Sequence, residues 1–317
     1  MRTITALFVG LGSIGTRHLK NLANLCADRG WTLQADALRS DLTRPLRPGA
    51  AELLHAQYTD PAAAPAHYDM VFITNPTSLH AEALRQVKGR GEALFIEKPI
   101  FSAEQTGLAL DELLPAGQKA YVAAPMRWCG AMLALKDRLP ALHPYCARVI
   151  CSSYLPDWRP GVDYRTVYSA RKALGGGVTT DLIHEWDYLV ELFGVPEKLY
   201  NFKGTYSELE IDSDDLSVYI AKYPTLLAEV HLDYFGRGYR RSIELFCRDG
   251  SYLADFGKGT LTLPDGTVQH YEEDVNRRYE REMEYFVDYA LTGCGESCNP
   301  PALALKVLKL TLGENVQ

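Results

Sequence analysis

An apolar run from Ile4 to Val9 leads directly into Gly10-x-Gly12-x-x-Gly15, and a helical segment, Thr16 to Leu25, follows. A strand, a tight glycine turn and a helix in that order open a parallel α/β sheet. Such a turn brings backbone N–H groups and a helix N-terminus up to an anion, and a dinucleotide pyrophosphate is the anion it suits. Ser13 and Ile14 lie inside the same turn. Much later, the apolar run Ala93 to Glu97 ends in Glu97-Lys98-Pro99. That places a lysine at the carboxyl end of a later strand, where open α/β sheets hold their ligands.

Up to about Val122, short apolar runs alternate with helical segments, as a parallel sheet with crossover helices requires. The predicted strands are Ile4 to Val9, Thr32 to Leu38, Met70 to Thr74, Ala93 to Glu97 and Ala120 to Ala123, with a loop and a helix around Ala50 to His55 between the second and third. After a helical segment near Ala131 to Leu139 the texture becomes β-rich, with Asp249-Gly250 and Asp265-Gly266 as hairpin turns between consecutive runs. An antiparallel sheet is expected there, flanked by helices over Val178 to Phe193 and Arg278 to Leu291. The chain therefore reads as α/β: a Rossmann-type doubly wound parallel sheet, then an α+β domain with a large, mostly antiparallel sheet.

The 317 residues are enough for two substantial cores, and a formal net charge of -7 argues against general affinity for nucleic acid or anionic membranes. Seven cysteines without a Cys-x-x-Cys pair indicate neither a disulfide framework nor a metal site, which suits the reducing cytoplasm. The N-terminal apolar stretch runs straight into the glycine turn, so it reads as a strand rather than a signal peptide, and no run is long enough to span a membrane.

The second strand closes on Arg39-Ser40, with Asp41 just beyond, where an acid that reads a ribose 2′-hydroxyl would be expected. An arginine and a hydroxyl suit a 2′-phosphate better, so NADP is favoured over NAD; the alternative is a solvated Arg39. Thr74-Asn75-Pro76 follows the third strand, and Thr77 or Ser78 is placed to cap the next helix, although turn chemistry alone accounts for Asn and Pro there. His80, taken singly, reads as a packed histidine.

Further on, Gly175-Gly176-Gly177 precedes a stripe of apolar residues at helical spacing. Asp181, His184 and Tyr188 then share the opposite face, and a carboxylate, an imidazole and a phenol exposed together make either a proton-transfer site or a solvated helix face.

Together these residues resemble the glucose-fructose oxidoreductase, inositol dehydrogenase and MocA (Gfo/Idh/MocA) family of NAD(P)-dependent oxidoreductases. The likeness covers nearly the whole chain: Val9 to Gly15, Asn75-Pro76 with His80, Glu97-Lys98-Pro99, Arg127, and the glycine-rich entry to Asp181 and His184. It implies a nucleotide domain over residues 1–123, a substrate-binding and oligomerisation domain over 124–300, and a last helix within 301–317 that packs back on the first domain. It implies a cis peptide between Lys98 and Pro99. The cofactor-binding set it supports is Gly10, Gly12, Ser13, Ile14, Gly15, Arg39, Ser40, Thr74, Asn75, Pro76, His80, Glu97, Lys98 and Arg127. By similarity Lys98 acts at the nicotinamide and substrate hydroxyl, His184 is the general acid/base, and Asp181 binds substrate or orients the histidine. Aspartate and histidine are three positions apart here, whereas many relatives have four.

The chemistry agrees. Hydride leaves a carbinol carbon only as the hydroxyl proton departs, so a base tunable toward neutrality is required at that oxygen, and His184 qualifies. The expected function is an NAD(P)-dependent dehydrogenase or reductase acting on a CH–OH group of a sugar, cyclitol or sugar-derived substrate. Redox-assisted glycoside cleavage with tightly held NAD and a non-catalytic sugar or nucleotide sensor are the alternatives. The segment Asp157 to Lys172 mixes aromatic rings with Arg159, Arg165, Arg171 and Lys172, so Arg165 and Tyr168 are expected to bind an acidic or nucleotide-linked sugar, or else the segment contacts a neighbouring subunit. The resemblance also implies a homodimer or homotetramer built on the exposed face of the second sheet.

Overall fold

The computed structural model describes residues 2–316. It divides into two compact units, one running to Ala124 and including Tyr279–Leu305, the other Pro125–Arg278 with the described residues from Lys306 onward.

The first unit holds a six-stranded parallel sheet of β1 (Thr3–Val9), β2 (Thr32–Leu38), β3 (Leu54–Tyr58), β4 (Tyr68–Ile73), β5 (Gly91–Ile96) and β6 (Lys119–Val122), in the order β3-β2-β1-β4-β5-β6. Helices α1 (Ser13–Asp28), α2 (His80–Gln86) and α3 (Leu110–Leu113) accompany it. The chain reverses direction of winding between β1 and β4, the position at which doubly wound sheets open a crevice. Central strands are buried on both faces, which is why they read as continuous apolar runs. Phe8 stacks on Phe72 at 4.4 Å, and Phe72 and Phe95 continue the aromatic layer. The helix expected around Ala50 to His55 is instead a single 3-10 turn, Ala51–Leu53, running into the edge strand β3. Pairing with β2 outweighs the helical preference of the alanines there.

The second unit contains α4 (Gly130–Arg138), β7 (Cys146–Tyr154), α5 (Val178–Asp181), α6 (His184–Phe193), β8 (Lys198–Gly204), β9 (Leu216–Lys222), β10 (Leu227–Asp233), β11 (Phe235–Cys247), β12 (Gly250–Asp255), β13 (Thr260–Thr262) and β14 (Val268–His270). The strands form one eight-stranded sheet, antiparallel except where β7 meets β10. One face is apolar and covered: Val149, Val230, Tyr219 and Ile243 are buried, and Trp186 of α6 meets Tyr219 edge-on at 5.1 Å.

Two helices close the chain, α7 (Val275–Thr292) and α8 (Pro301–Thr311). The expected domain limits of 124–300 and 301–317 differ from the observed ones here. Met283, Phe286, Val287 and Ala290 of α7 lie in the first unit's core, with Phe286 edge-on to Phe72 and Phe95, so Tyr279–Leu305 belongs with the nucleotide-type sheet. Residues beyond Leu305 group with the second unit, where Thr311 O accepts a hydrogen bond from the Tyr219 hydroxyl at 2.6 Å. An amphipathic helix carries no sequence mark of which core it will join.

Candidate functional site

In the first unit a cleft of 810 Å³ opens at the carboxyl ends of β1, β2 and β4. Gly10, Gly12, Ile14, Arg39, Ser40 and Thr74 to Pro76 line it. Gly10 has φ of +85°, and a Cβ there would stand 2.8 Å from the Asn75 backbone. The Thr74 hydroxyl donates to Gly10 O at 2.7 Å and leaves only 2.6 Å for a Cβ at Gly15, so β4 clamps the turn from below. A Cβ at Gly12 would meet no protein atom within 4 Å: it would project into the open cleft, where a ligand backbone must pass. No side chain caps the N-terminus of α1, and its first turn carries no acid. Those are the features an anion seat needs. Asn75 Oδ1 is buried with no partner, one unsatisfied acceptor at the cleft wall. The residues present fit a dinucleotide.

Arg39 donates to Gln57 Oε1 at 2.8 Å and to Arg44 O at 2.5 Å, which holds its guanidinium at the cleft rim. The nearby acids are both occupied internally. Asp36 accepts from the Tyr68 hydroxyl at 2.8 Å and faces His55 at 3.2 Å. Asp41 accepts from Thr43 N–H and hydroxyl and lies 3.4 Å from Arg44; these contacts, those with Thr43 foremost, hold its pKa below the ordinary value.

Three of the residues expected to contact a cofactor are engaged within the protein. His80 is buried, with Nδ1 3.1 Å from Ile100 O and Nε2 3.0 Å from Asn75 O, so it braces Asn75 from behind. Burial lowers its pKa, against the pull of these carbonyls. Glu97 is buried as well, one oxygen 2.5 Å from His18 Nε2 and the other accepting the Lys98 N–H at 3.1 Å. Arg127 lies in the second unit, where it donates to both oxygens of Asp187 at 2.9 and 2.7 Å and to Glu191 at 2.5 Å. A bidentate arginine already held by two carboxylates serves as an internal tie. Lys98 stands at the end of β5, partly exposed, and its bond to Pro99 is cis as expected.

In the second unit the expected continuous helix over Val178 to Phe193 is broken at Leu182-Ile183 into α5 and α6. Tyr188 therefore does not share an exposed face with Asp181 and His184. It is fully buried, edge-on to Phe256 at 5.3 Å, and burial raises its pKa far above the ordinary phenol value. What gathers at Asp181 is a different pair of phenols. Tyr168 donates to Oδ1 at 2.6 Å and Tyr234 to Oδ2 at 2.6 Å. Burial, and next the Asp181 charge, raise the pKa of both phenols, so they are donors at neutral pH. Trp158 lies edge-on to Tyr234 at 5.2 Å and is fixed by its indole N–H to Ser153 at 3.0 Å. Gly176 permits the arrangement, since a Cβ there would fall 2.0 Å from Tyr168 O. His184 begins α6, partly exposed, beside the buried Glu185 that Arg241 holds with bonds of 2.7 and 3.0 Å.

Arg165, expected to meet a substrate anion, is half-exposed and pairs with Asp163 at 2.9 Å and Glu210 at 2.7 Å. Ser169 O and the Lys172 N–H likewise bond to Ser213 and Asp212, which ties the whole loop to its own unit. Sequence reasoning missed Tyr234 and His18. Tyr234 is one tyrosine among 19, at a strand end, and His18 is one polar residue on a helix, so neither carried a distinguishing signal.

Residues 4–123 match the profile of the GFO_IDH_MocA family, described as an oxidoreductase family with an NAD-binding Rossmann fold. Over those residues the resemblance read from the motifs is borne out. No curated protein sequence matches the chain significantly. Among solved structures, a levoglucosan dehydrogenase in complex with NADH is similar at 15% identity and a TM-score of 0.82, covering 98% of this chain and 96% of that one. A myo-inositol 2-dehydrogenase from Lactobacillus plantarum is 19% identical with a TM-score of 0.75, covering 98% and 96%. A UDP-N-acetylglucosamine 3-dehydrogenase from Acidithiobacillus ferrooxidans is 18% identical with a TM-score of 0.72, covering 99% and 97%. At such identities the likeness establishes the fold. No helix of the described residues is long and apolar enough to cross a membrane, and none of their His, Cys, Asp and Glu clusters suits a metal.

Proposed function

We propose that this oxidoreductase-family chain transfers a hydride between NADP(H) and a CH–OH carbon of a sugar, cyclitol or sugar-derived substrate. The observation that carries the reading is the cleft at the switch point of the first sheet, with an uncapped α1 N-terminus, an open second glycine and Arg39 at the rim where the acids are already engaged. When bound there, the nicotinamide supplies the hydride chemistry and the protein orients and handles protons. Gly10, Gly12, Ser13, Ile14 and Gly15 would receive the pyrophosphate, Arg39 and Ser40 the 2′-phosphate end, and Thr74, Asn75 and Pro76 the wall between.

Lys98 is assigned to the substrate oxygen, where its ammonium donates a hydrogen bond, and His184 to removal or return of the hydroxyl proton. Asp181 acts through Tyr168: with both its oxygens accepting phenols, it orients a hydroxyl rather than binding substrate directly. Trp158 and Tyr168 supply exposed aromatic surface suited to a sugar or cyclitol face, with Tyr234 buried behind Trp158. With Arg165 paired to Asp163 and Glu210, the loop offers less positive charge to an acidic or nucleotide-linked sugar than its composition suggests, so neutral sugars and cyclitols are the better candidates. The seven free thiols suit a reducing compartment such as the cytoplasm.

Fluorescence titration of the unaltered protein with NADPH and NADH tests the cofactor, with NADPH expected to bind about tenfold or more tightly, a difference of about 1.4 kcal/mol. Arg39→Ala is expected to narrow that gap, and a clear preference for NADH would overturn the assignment. A screen of polyols, sugars, sugar acids and nucleotide sugars, read as net NADPH formation, tests the reaction. Turnover of a glycoside without net NADPH would favour redox-assisted cleavage instead.

A further inference from the structure

His18 sits on α1 just past the glycine turn and is fully buried. Its ring lies 4.7 Å from Phe95 and 6.1 Å, edge-on, from Tyr279. Nε2 is 2.5 Å from Glu97 Oε1, while Nδ1 is buried with no partner. The hydrogen therefore resides on Nε2, since two facing lone pairs would repel, and a second one on Nδ1 would find no acceptor. The remaining Glu97 oxygen accepts the backbone N–H of Lys98.

An apolar pair would fill this space with less desolvation, so stability gives little reason for a buried histidine and glutamate. Geometry gives one. With one oxygen held by α1, the Glu97 carboxylate is locked, and its other oxygen sets the peptide from which the Lys98 side chain departs. The helix involved is the one whose N-terminus faces the cleft.

We propose that His18 is a positioning residue: it holds Glu97 as acceptor of the Lys98 N–H and so couples the nucleotide-receiving helix to the turn that carries Lys98. The holding part rests on the geometry alone; the coupling part rests on the reading that α1 receives a nucleotide.

His18→Gln and His18→Asn separate this role from simple packing. Glutamine extends an amide N–H to about the Nε2 position, whereas asparagine ends near Nδ1 and cannot reach Glu97; both are polar and smaller than or similar to the ring. The measurement is amide hydrogen exchange at Lys98, followed by mass spectrometry or ¹⁵N-lysine NMR, in the protein without nucleotide and after adding NADPH. Without nucleotide, His18→Asn is expected to speed exchange at Lys98 roughly tenfold, the scale of one lost hydrogen bond, with Leu94 and Phe95 unchanged, and His18→Gln to stay within about threefold of the unaltered protein. Equal behaviour of the two variants, or faster exchange spread along all of β5, would assign His18 to packing alone and overturn the proposal. On adding NADPH, protection at Lys98 is expected to rise in the unaltered protein and not in His18→Asn. Bound NADPH that leaves Lys98 unchanged in the unaltered protein overturns the coupling. Absence of any NADPH binding instead removes the functional reading and leaves the holding role standing on the first measurement.

Discussion

Two phenols share one carboxylate at Asp181, and the consequences differ between them. Tyr234 is wholly buried, so Tyr234→Phe leaves a buried oxygen of Asp181 without its donor; a hydrogen bond to a charged group of this kind contributes about 2 kcal/mol. Urea unfolding is expected to show a loss of that order, whereas Tyr168→Phe, at a residue 45% exposed, should cost clearly less while still lowering turnover. Equal stability losses in the two variants would contradict this division. Lys98→Met and His184→Asn are each expected to lower turnover about 100-fold, the usual scale for a positioned acid or base, with NADPH affinity largely kept. Full activity in either variant removes that residue from the mechanism. The position of Lys98 was legible because it follows a patterned strand, whereas the place of His184 at the start of a helix is seen only in the structure, the sequence having put it inside a longer helix. Tyr234 was not legible, because its contact with Asp181 joins residues 53 apart in sequence.

Between β1 and α1 the glycines divide the work, and substitution can tell them apart. Gly10→Ala forces a side chain into positive φ and against Asn75, so it is expected to destabilise the first unit by about 1–3 kcal/mol and to abolish nucleotide binding. Gly12→Ala adds a methyl where no protein atom lies, so thermal unfolding should be unchanged while NADPH affinity falls tenfold or more. A Gly12→Ala protein that binds NADPH normally would show that the pyrophosphate does not pass over this turn. Elsewhere the elements departed from pattern where tertiary contacts outweigh propensity. The helical stripe over Val178 to Phe193 is real, but Asp181 is pinned by two tyrosines and Thr179 by Asp214 at 2.9 Å, and the helix breaks at Leu182-Ile183 to satisfy them.

At the scale of the whole molecule, one face of the eight-stranded sheet remains uncovered. Tyr200, Phe202, Ile220 and Leu227 are 51%, 73%, 36% and 41% exposed, an apolar area beside the Arg148–Glu229 pair. We propose that this face joins two copies of the chain, since apolar patches of this kind on soluble proteins mark association surfaces. Light scattering is expected to give at least a dimer for the unaltered protein and a lower mass for Phe202→Asp. A monomeric unaltered protein would refute the assignment. The sequence by itself determined the two sheets, their parallel and antiparallel character, the glycine turn and the lysine at the end of β5, because strand periodicity, turn residues and the alternation of strands with helices are local properties of the chain. It did not determine that α7 completes the first core, that Glu97 turns inward to His18, or that Arg127 is held by carboxylates far along the chain. Those outcomes depend on which distant side chains meet, apolar ones in the core and buried charges in pairs, and only the folded arrangement brings such partners into contact.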